Sequence, residues 1–241
     1  MDPRFGYNSA MNRPQPGMRT IRSFVRRTGR MTPAQDRALT RLWPQYGVDY
    51  SPQILDLDEI FGRSAERVLE IGFGNGETLV RDAAGRPELD FLGIEVHEPG
   101  IGHCLINAED AGLENLRVIK HDAIEVLQHQ VSDGAFTRIN LFFPDPWPKK
   151  RHHKRRIVQD SFLQLAASKL APSGSLHIAT DWENYAEHID ELIAGSPLFT
   201  VAERHVHKGG FETLERQTTK FERRGLRQGH SIWDWRLMRV S

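Results

Sequence analysis

Cysteine is almost absent from this chain. Cys104 is the only one in 241 residues, which excludes an internal disulfide and a zinc site built on thiolates. Its neighbours Ile101 and Leu105 mark it as a core or helix position. Long apolar runs are missing too. No segment approaches the roughly 18 consecutive apolar residues of a membrane helix, and the Arg- and Pro-containing start has no apolar signal core. With a mean hydropathy of -0.52, the chain is expected in the cytoplasm, away from membranes. His152 and His153 are adjacent and His205 and His207 alternate, but no acid or thiol spacing accompanies them, so no metal site is expected. There is no internal repeat.

Net charge is also absent, since 32 basic residues balance 32 acidic ones. The balance conceals a segregation. Met1 to Tyr50 carries nine Arg and three acids, Ser51 to Pro148 seven basic and eighteen acidic residues, and Lys149 to Arg156 six basic residues and no acid. An acidic middle between basic flanks fits a domain whose own site uses carboxylates while its edges meet nucleic acid. Residues 1–30 lack periodicity at first and then set a few apolar positions among Arg, which predicts a mobile basic arm. Residues 31–241 are long enough for one domain with one core. A monomer is expected, with a dimer left open.

The stretch Leu141 to Arg156, LFFPDPWPKKRHHKRR, organises the rest. An apolar run of the length of a buried strand stops at Pro144-Asp145-Pro146-Trp147-Pro148, because proline cannot donate to a sheet ladder and restricts the residue before it. In an open α/β sheet, ligands collect at the carboxyl ends of strands, so Asp145 is a candidate site residue. The six cations and two histidines that follow point to a polyanion gripped beside the place where a base reacts.

Upstream, Thr32-Pro33 followed by AQDRALTRLW predicts a capped helix ending at Pro44. Arg67 to Ile71 reads as a strand running into Gly72-Phe73-Gly74-Asn75-Gly76-Glu77, with a helix beyond. Glycines there let a ligand approach without a Cβ in the way. The dinucleotide fingerprint would need glycine at position 77, where Glu would repel a pyrophosphate. Acids around a G-x-G-x-G turn suit a cationic cofactor without phosphates, and S-adenosyl-L-methionine (AdoMet) has that character. Strand DFLGIEV carries Glu95, about 20 residues past the glycines, to take ribose hydroxyls. Strand LRVIKH ends at Asp122, placed to bind the adenine amino group, to cap the next helix, or both.

Downstream, Ile157 to Leu170 reads as a helix, and Ser175 to Thr180 as a strand ending at Asp181, which either caps the helix after it or serves the site. Phe199 to Val206 and Ile232 to Val240 predict an antiparallel edge hairpin. Gln217 to Gly229 between them is basic and turn-rich.

Taken together, EIGFGNGE, GIEVHE, HDAIEVL, FFPDPWPKKRHHKRRI, ATDWENYAEHI and TKFERRGLRQGHSIWD resemble, in order and spacing, the bacterial tRNA (guanine-N7)-methyltransferase family. The resemblance runs from about Arg19 to the end. It implies an α/β, Rossmann-like class I methyltransferase fold: a seven-stranded, mostly parallel sheet with an antiparallel edge hairpin and helices on both faces. It implies transfer of a methyl group from AdoMet to N7 of a guanine in the tRNA variable loop. It places Glu70, Glu95 and Asp122 at the cofactor with the turn Gly72, Gly74 and Gly76, and Asp145 at both cofactor and catalysis. It places Lys149, Asp181, Thr219, Lys220, Phe221 and Glu222 at the tRNA, with Arg151, His152, His153, Lys154, Arg155 and Arg156 on its backbone. Trp147 either stacks on the target base or packs the loop. An amino-group methyltransferase is disfavoured because Asp145-Pro146-Trp147 lacks the amide of an Asn-Pro-Pro-aromatic motif. A non-catalytic RNA-binding protein is disfavoured by the acids at four strand ends.

Overall fold

The structure is a computed structural model and describes residues 24, 30–207, 220–227 and 229–240. Thr219 and nearly all of the predicted N-terminal arm lie outside the described residues. Helix α1 (Pro33–Arg41) starts with a capping box: the Thr32 hydroxyl accepts from the Gln35 N–H, and the Gln35 side chain accepts from the Thr32 N–H at 2.9 Å. It stops before Pro44, which falls in the first turn of a separate short helix, α2 (Trp43–Tyr46), where a missing N–H is tolerated. Strand β1 (Gly47–Val48) and helix α3 (Leu57–Phe61) follow.

Three strand and helix units come next: β2 (Arg67–Ile71) with α4 (Glu77–Gly85), β3 (Asp90–Ile94) with α5 (Glu98–Asp110), and β4 (Leu116–Ile119) with α6 (Ala123–His129). Strand β5 (Phe136–Phe142) is longer than its apolar run and leads, through the proline loop, into a 3-10 helix (Lys150–Arg155) and α7 (Asp160–Lys169). Strand β6 (Leu170–Thr180), α8 (Glu183–Gly195), β7 (Phe199–His207), α9 (Lys220–Arg227) and β8 (Ile232–Arg239) complete the chain. Helices α5 and α9 had no clear signal. The first begins Glu98-Pro99-Gly100 and holds a second glycine at 102, and the second lies in the stretch read as turns.

One sheet runs in the order β1-β4-β3-β2-β5-β6-β8-β7. It is parallel from β1 to β6, and β8 and β7 add the expected antiparallel hairpin at one edge. The eighth strand is the two-residue β1, too short to be read in advance, which pairs with β4 at the other edge. Alternation along β2 divides the core: Leu69 and Ile71 face the layer of α6, α7 and α8, while Val68 faces the layer of α1, α4 and α5. Strand order reverses between β2 and β5, which is where an open α/β sheet leaves a crevice. No helix of the described residues is long and apolar enough to cross a membrane.

Candidate functional site

The turn after β2 is made by backbone. Gly72, Gly74 and Gly76 have φ of 71, 62 and 75°, a region that side chains with a Cβ enter only at a cost. Helix α5 packs directly on them. A Cβ on Gly76 would lie 2.5 Å from Cys104, and one on Gly100 would lie 2.1 Å from the Gly74 carbonyl oxygen. The Gly72 N–H donates to the Ile94 carbonyl at 2.8 Å, which ties the turn to β3.

Glu95, just past β3, locks the same turn. Its Oε2 accepts from the Gly74 N–H at 2.8 Å, and its Oε1 accepts from the Val96 and His97 N–H groups at 2.6 and 3.0 Å. Three backbone donors fix the carboxylate, and its remaining lone pairs are available to hydroxyl donors.

These residues share a cavity of about 380 Å³ whose lining includes Gly72, Gly74, Glu95, His97, His121 and Asp145. Phe24, from the basic N-terminal stretch, also lines it. Four expected site residues therefore meet here. Gly76, Glu70 and Asp122 do not line the cavity. Gly76 is the N-cap of α4. Asp122 caps α6, its Oδ1 accepting from the Ile124 N–H at 2.8 Å, while its neighbours His121 and Ala123 reach the cavity. The His121 ring stacks on Tyr50 with centroids 3.6 Å apart.

Glu70 lies buried in β2, two residues before Gly72, and its Oε2 has no hydrogen-bond partner among the described residues. Burial, and then the charges of Asp82 and Glu95, push its carboxyl up to about 8. Glu77 opens α4, so a carboxylate stands where a Rossmann site would receive a pyrophosphate. Asn75 and Arg223 both donate to it. A braced carboxylate, glycines without a Cβ, an unsatisfied buried acid oxygen and a negative helix start fit a nucleoside cofactor that is cationic and lacks phosphate, as AdoMet does.

On the other side of the cavity, the loop 143–149 leaves β5. Phe143 and Trp147 take φ of 53 and 46°, each costing on the order of 1 kcal/mol for a bulky residue. The Phe143 N–H donates to the Ala179 carbonyl of β6 at 2.8 Å. Asp145 is exposed at the cavity mouth. The basic run forms the 3-10 helix, with Lys149, Arg151 and Lys154 exposed and His152, His153 and Arg155 partly covered. Arg155 lies 4.5 Å above the Trp147 ring, and His152 meets that ring edge-on. Burial, and then the surrounding cations, lower the His152 pKa. The His153 Nε2 is buried without a partner among the described residues.

Arg156 departs from the expectation made for the run. It is 2% exposed, and its guanidinium donates to the Pro146 carbonyl, the Asn184 carbonyl and the Asn184 Oδ1 at 2.9, 3.3 and 2.8 Å. Its donors are bonded within the fold, whereas Lys149, Arg151 and Lys154 beside it are exposed.

A second group gathers at the end of β6. The N-cap of α8 is Trp182, which leaves Asp181 one residue outside the helix. The Asp181 Oδ2 lies 3.5 Å from His230 Nδ1, and a Cβ on Gly225 would come within 3.0 Å of the same oxygen. Helix α9 thus packs on Asp181 at Gly225 and reaches Glu77 through Arg223. Glu222 is buried, and Lys220 and Phe221 open the helix. Asp181, Trp182, Asn184, His230 and Trp233 line a cleft of about 610 Å³. Asn184, Arg223 and Gly225 escaped the sequence reading, because their roles arise from contacts between distant segments.

The family described as "Putative methyltransferase" matches residues 64–235. The tRNA (guanine-N(7)-)-methyltransferase of Alkalilimnicola ehrlichii is 55% identical over 90% of this chain and 92% of its own length. That of Shewanella amazonensis is 51% identical over 93% of this chain and 94% of its own. Among solved structures, a 16S rRNA (adenine(1408)-N(1))-methyltransferase from Catenulisporales acidiphilia matches 80% of this chain and 95% of its own with a TM-score of 0.55 at 13% identity, a likeness of fold. Identity above one half along nine-tenths of the chain settles the matter of kinship: this chain belongs to the tRNA (guanine-N(7)-)-methyltransferase family.

Proposed function

We propose that this protein transfers a methyl group from AdoMet to N7 of a guanine in the variable loop of tRNA, acting as a monomer in the cytoplasm. The observation that carries the reading is the meeting of Asp145 with Gly72, Gly74 and Glu95 on one cavity, at the reversal of strand order and beside a rim of cations. AdoMet, when bound, supplies a methyl group on a cationic sulfonium.

The residues divide the work. Glu95, held by three N–H groups, takes the ribose hydroxyls. Asp122 receives the adenine amino group with the lone pairs that capping leaves over, and Glu70, beneath the turn, gives up its proton to answer the cationic end of the cofactor when it binds. Guanine N7 has an in-plane lone pair and no proton, so no general base is required; alignment and electrostatics suffice. Asp145 accepts a hydrogen bond from the guanine and stabilises the positive charge that develops on the purine. Lys149, Arg151, His152, His153, Lys154 and Arg155 follow the tRNA backbone, and Asp181 with Thr219, Lys220, Phe221 and Glu222 meets the nucleotides near the target.

The test is incubation with labelled AdoMet and unmodified tRNA, then borohydride reduction and aniline cleavage, which cuts at 7-methylguanine. Cleavage in the variable loop is the expected result. Label without cleavage moves the reaction to another atom, and no label despite AdoMet binding removes tRNA as the substrate.

A further inference from the structure

The loop that carries Asp145 is short of backbone donors. Three of the seven residues in 143–149 are proline, which removes three backbone donors. Two others, Phe143 and Trp147, stand in the left-handed region, a conformation that persists in bulky residues only when the surroundings over-determine it. The start of the loop is tied by the Phe143 N–H to Ala179. Its middle is reached by the Arg156 Nε, which donates to the Pro146 carbonyl at 2.9 Å, one residue beyond Asp145.

The rest of that guanidinium faces another element. Both terminal nitrogens donate to Asn184 in the first turn of α8, at 3.3 and 2.8 Å. The group lies 4.8 Å from the Tyr185 ring centroid, and the hydroxyl of this fully buried tyrosine accepts from the Val158 N–H at 3.1 Å. Three segments meet at one side chain: the Asp145 loop, the start of α8, and the chain leaving the 3-10 helix. A lysine ammonium cannot reproduce a planar fork that serves acceptors on two sides.

We infer that Arg156 is a positioning residue: its guanidinium holds the Pro146 carbonyl, and with it the Asp145 carboxylate, in fixed relation to the first turn of α8, and it makes no contact with the tRNA backbone. The inference rests on the methyl-transfer reading for its kinetic consequence alone. Within one run of cations, Lys149 to Arg155 grip the substrate and Arg156 aligns the reacting group.

The experiment compares the parent with Arg156→Lys and Asn184→Ala in the full chain. In Arg156→Lys, single-turnover methylation at saturating tRNA and AdoMet should fall about 100-fold, the cost of a small misalignment. The tRNA dissociation constant and its salt slope should stay at parental values. Hydrogen exchange of a peptide covering residues 141–149 should quicken about tenfold as the loop loses its hold. Asn184→Ala removes one acceptor at an exposed position, keeps the fold, and should give the same pattern at about fivefold. A parental rate in Arg156→Lys, unchanged exchange, or a slope flattened by about one phosphate contact with the rate intact would overturn the inference. If the parent itself leaves guanine N7 unmethylated, the methyl-transfer reading fails, and the exchange comparison still decides the clamp.

Discussion

The two rims of the cavity are built by opposite means. On the glycine rim, three left-handed glycines, the Glu95 carboxylate and the packed face of α5 fix the turn through backbone hydrogen bonds and steric contact. On the opposite rim, a proline-interrupted loop receives a hydrogen bond from the Arg156 side chain, and the cations beyond it stand mostly in solvent. The first rim is rigid because a displaced glycine turn meets atoms at once. The second depends on a few long-range side-chain bonds, which leaves the surface around it adaptable to a large polyanion. Recognition of a small cofactor calls for the former, and docking of a folded RNA for the latter.

The contrast can be broken most forcefully at Gly100. Gly100→Ala places a methyl group 2.1 Å from the Gly74 carbonyl, so the turn or α5 must shift. A destabilisation of about 3 kcal/mol is expected, seen as a drop of roughly 6 to 12 °C in thermal unfolding. Gly72→Ala, where a Cβ meets nothing within 4 Å, should cost only about 1 kcal/mol, from the strain of its positive φ. Equal effects would mean that packing by α5 does not set the turn.

Next in size is Asp145→Asn, which keeps the shape of the side chain and removes its charge. The rate at saturating tRNA and AdoMet should fall about 100-fold, or roughly 2.7 kcal/mol. Full turnover would remove Asp145 from the chemistry.

A smaller effect is expected from pH. The buried Glu70 carboxyl is raised from 4.5 to about 8, so between those values the folded state holds a proton that the unfolded chain has lost. Its stability contribution is fully present below about pH 4.5 and disappears as pH rises through about 8. Glu70→Gln, neutral throughout, should gain on the parent by several degrees in melting temperature between about pH 5 and pH 8.5. A difference that stays constant across that range would show that Glu70 is ionised in the fold.

The smallest change per residue should come from the exposed cations. Replacing Arg151 and Lys154 with Ala should lower the slope of log affinity against log salt by about 1.5 to 2 and leave the single-turnover rate at saturation intact. A fall in rate with the slope unchanged would make these residues part of the alignment machinery and erase the contrast with Arg156.

Much of this was legible because local chemistry decides it. The short apolar strands, the capping box at Thr32, the glycine turn and the proline stop after β5 are read from neighbouring residues, since propensity, capping and the missing proline N–H act over a few positions. The acids Glu95 and Asp145 were legible by position, as the first charged side chains past buried strands. Helix α5 was not legible, because Gly100 and Gly102 near its start fit close packing on the turn and on α1 better than helix propensity. Helix α9 was hidden for a similar reason: its apolar positions are few, and Gly225 makes sense only against Asp181.

The amino-acid sequence by itself determined the parallel α/β order, the place of the glycine turn and the carboxylate at the end of β5, because each follows from hydrogen-bonding capacity and side-chain pattern along a short segment. Only the tertiary structure decided that Glu70 lies buried with an oxygen unsatisfied among the described residues, and that the last arginine of a basic run faces inward. Charge in a sequence carries no direction. Whether an arginine meets phosphate or a proline carbonyl depends on which distant segment, here the first turn of α8, supplies its acceptors.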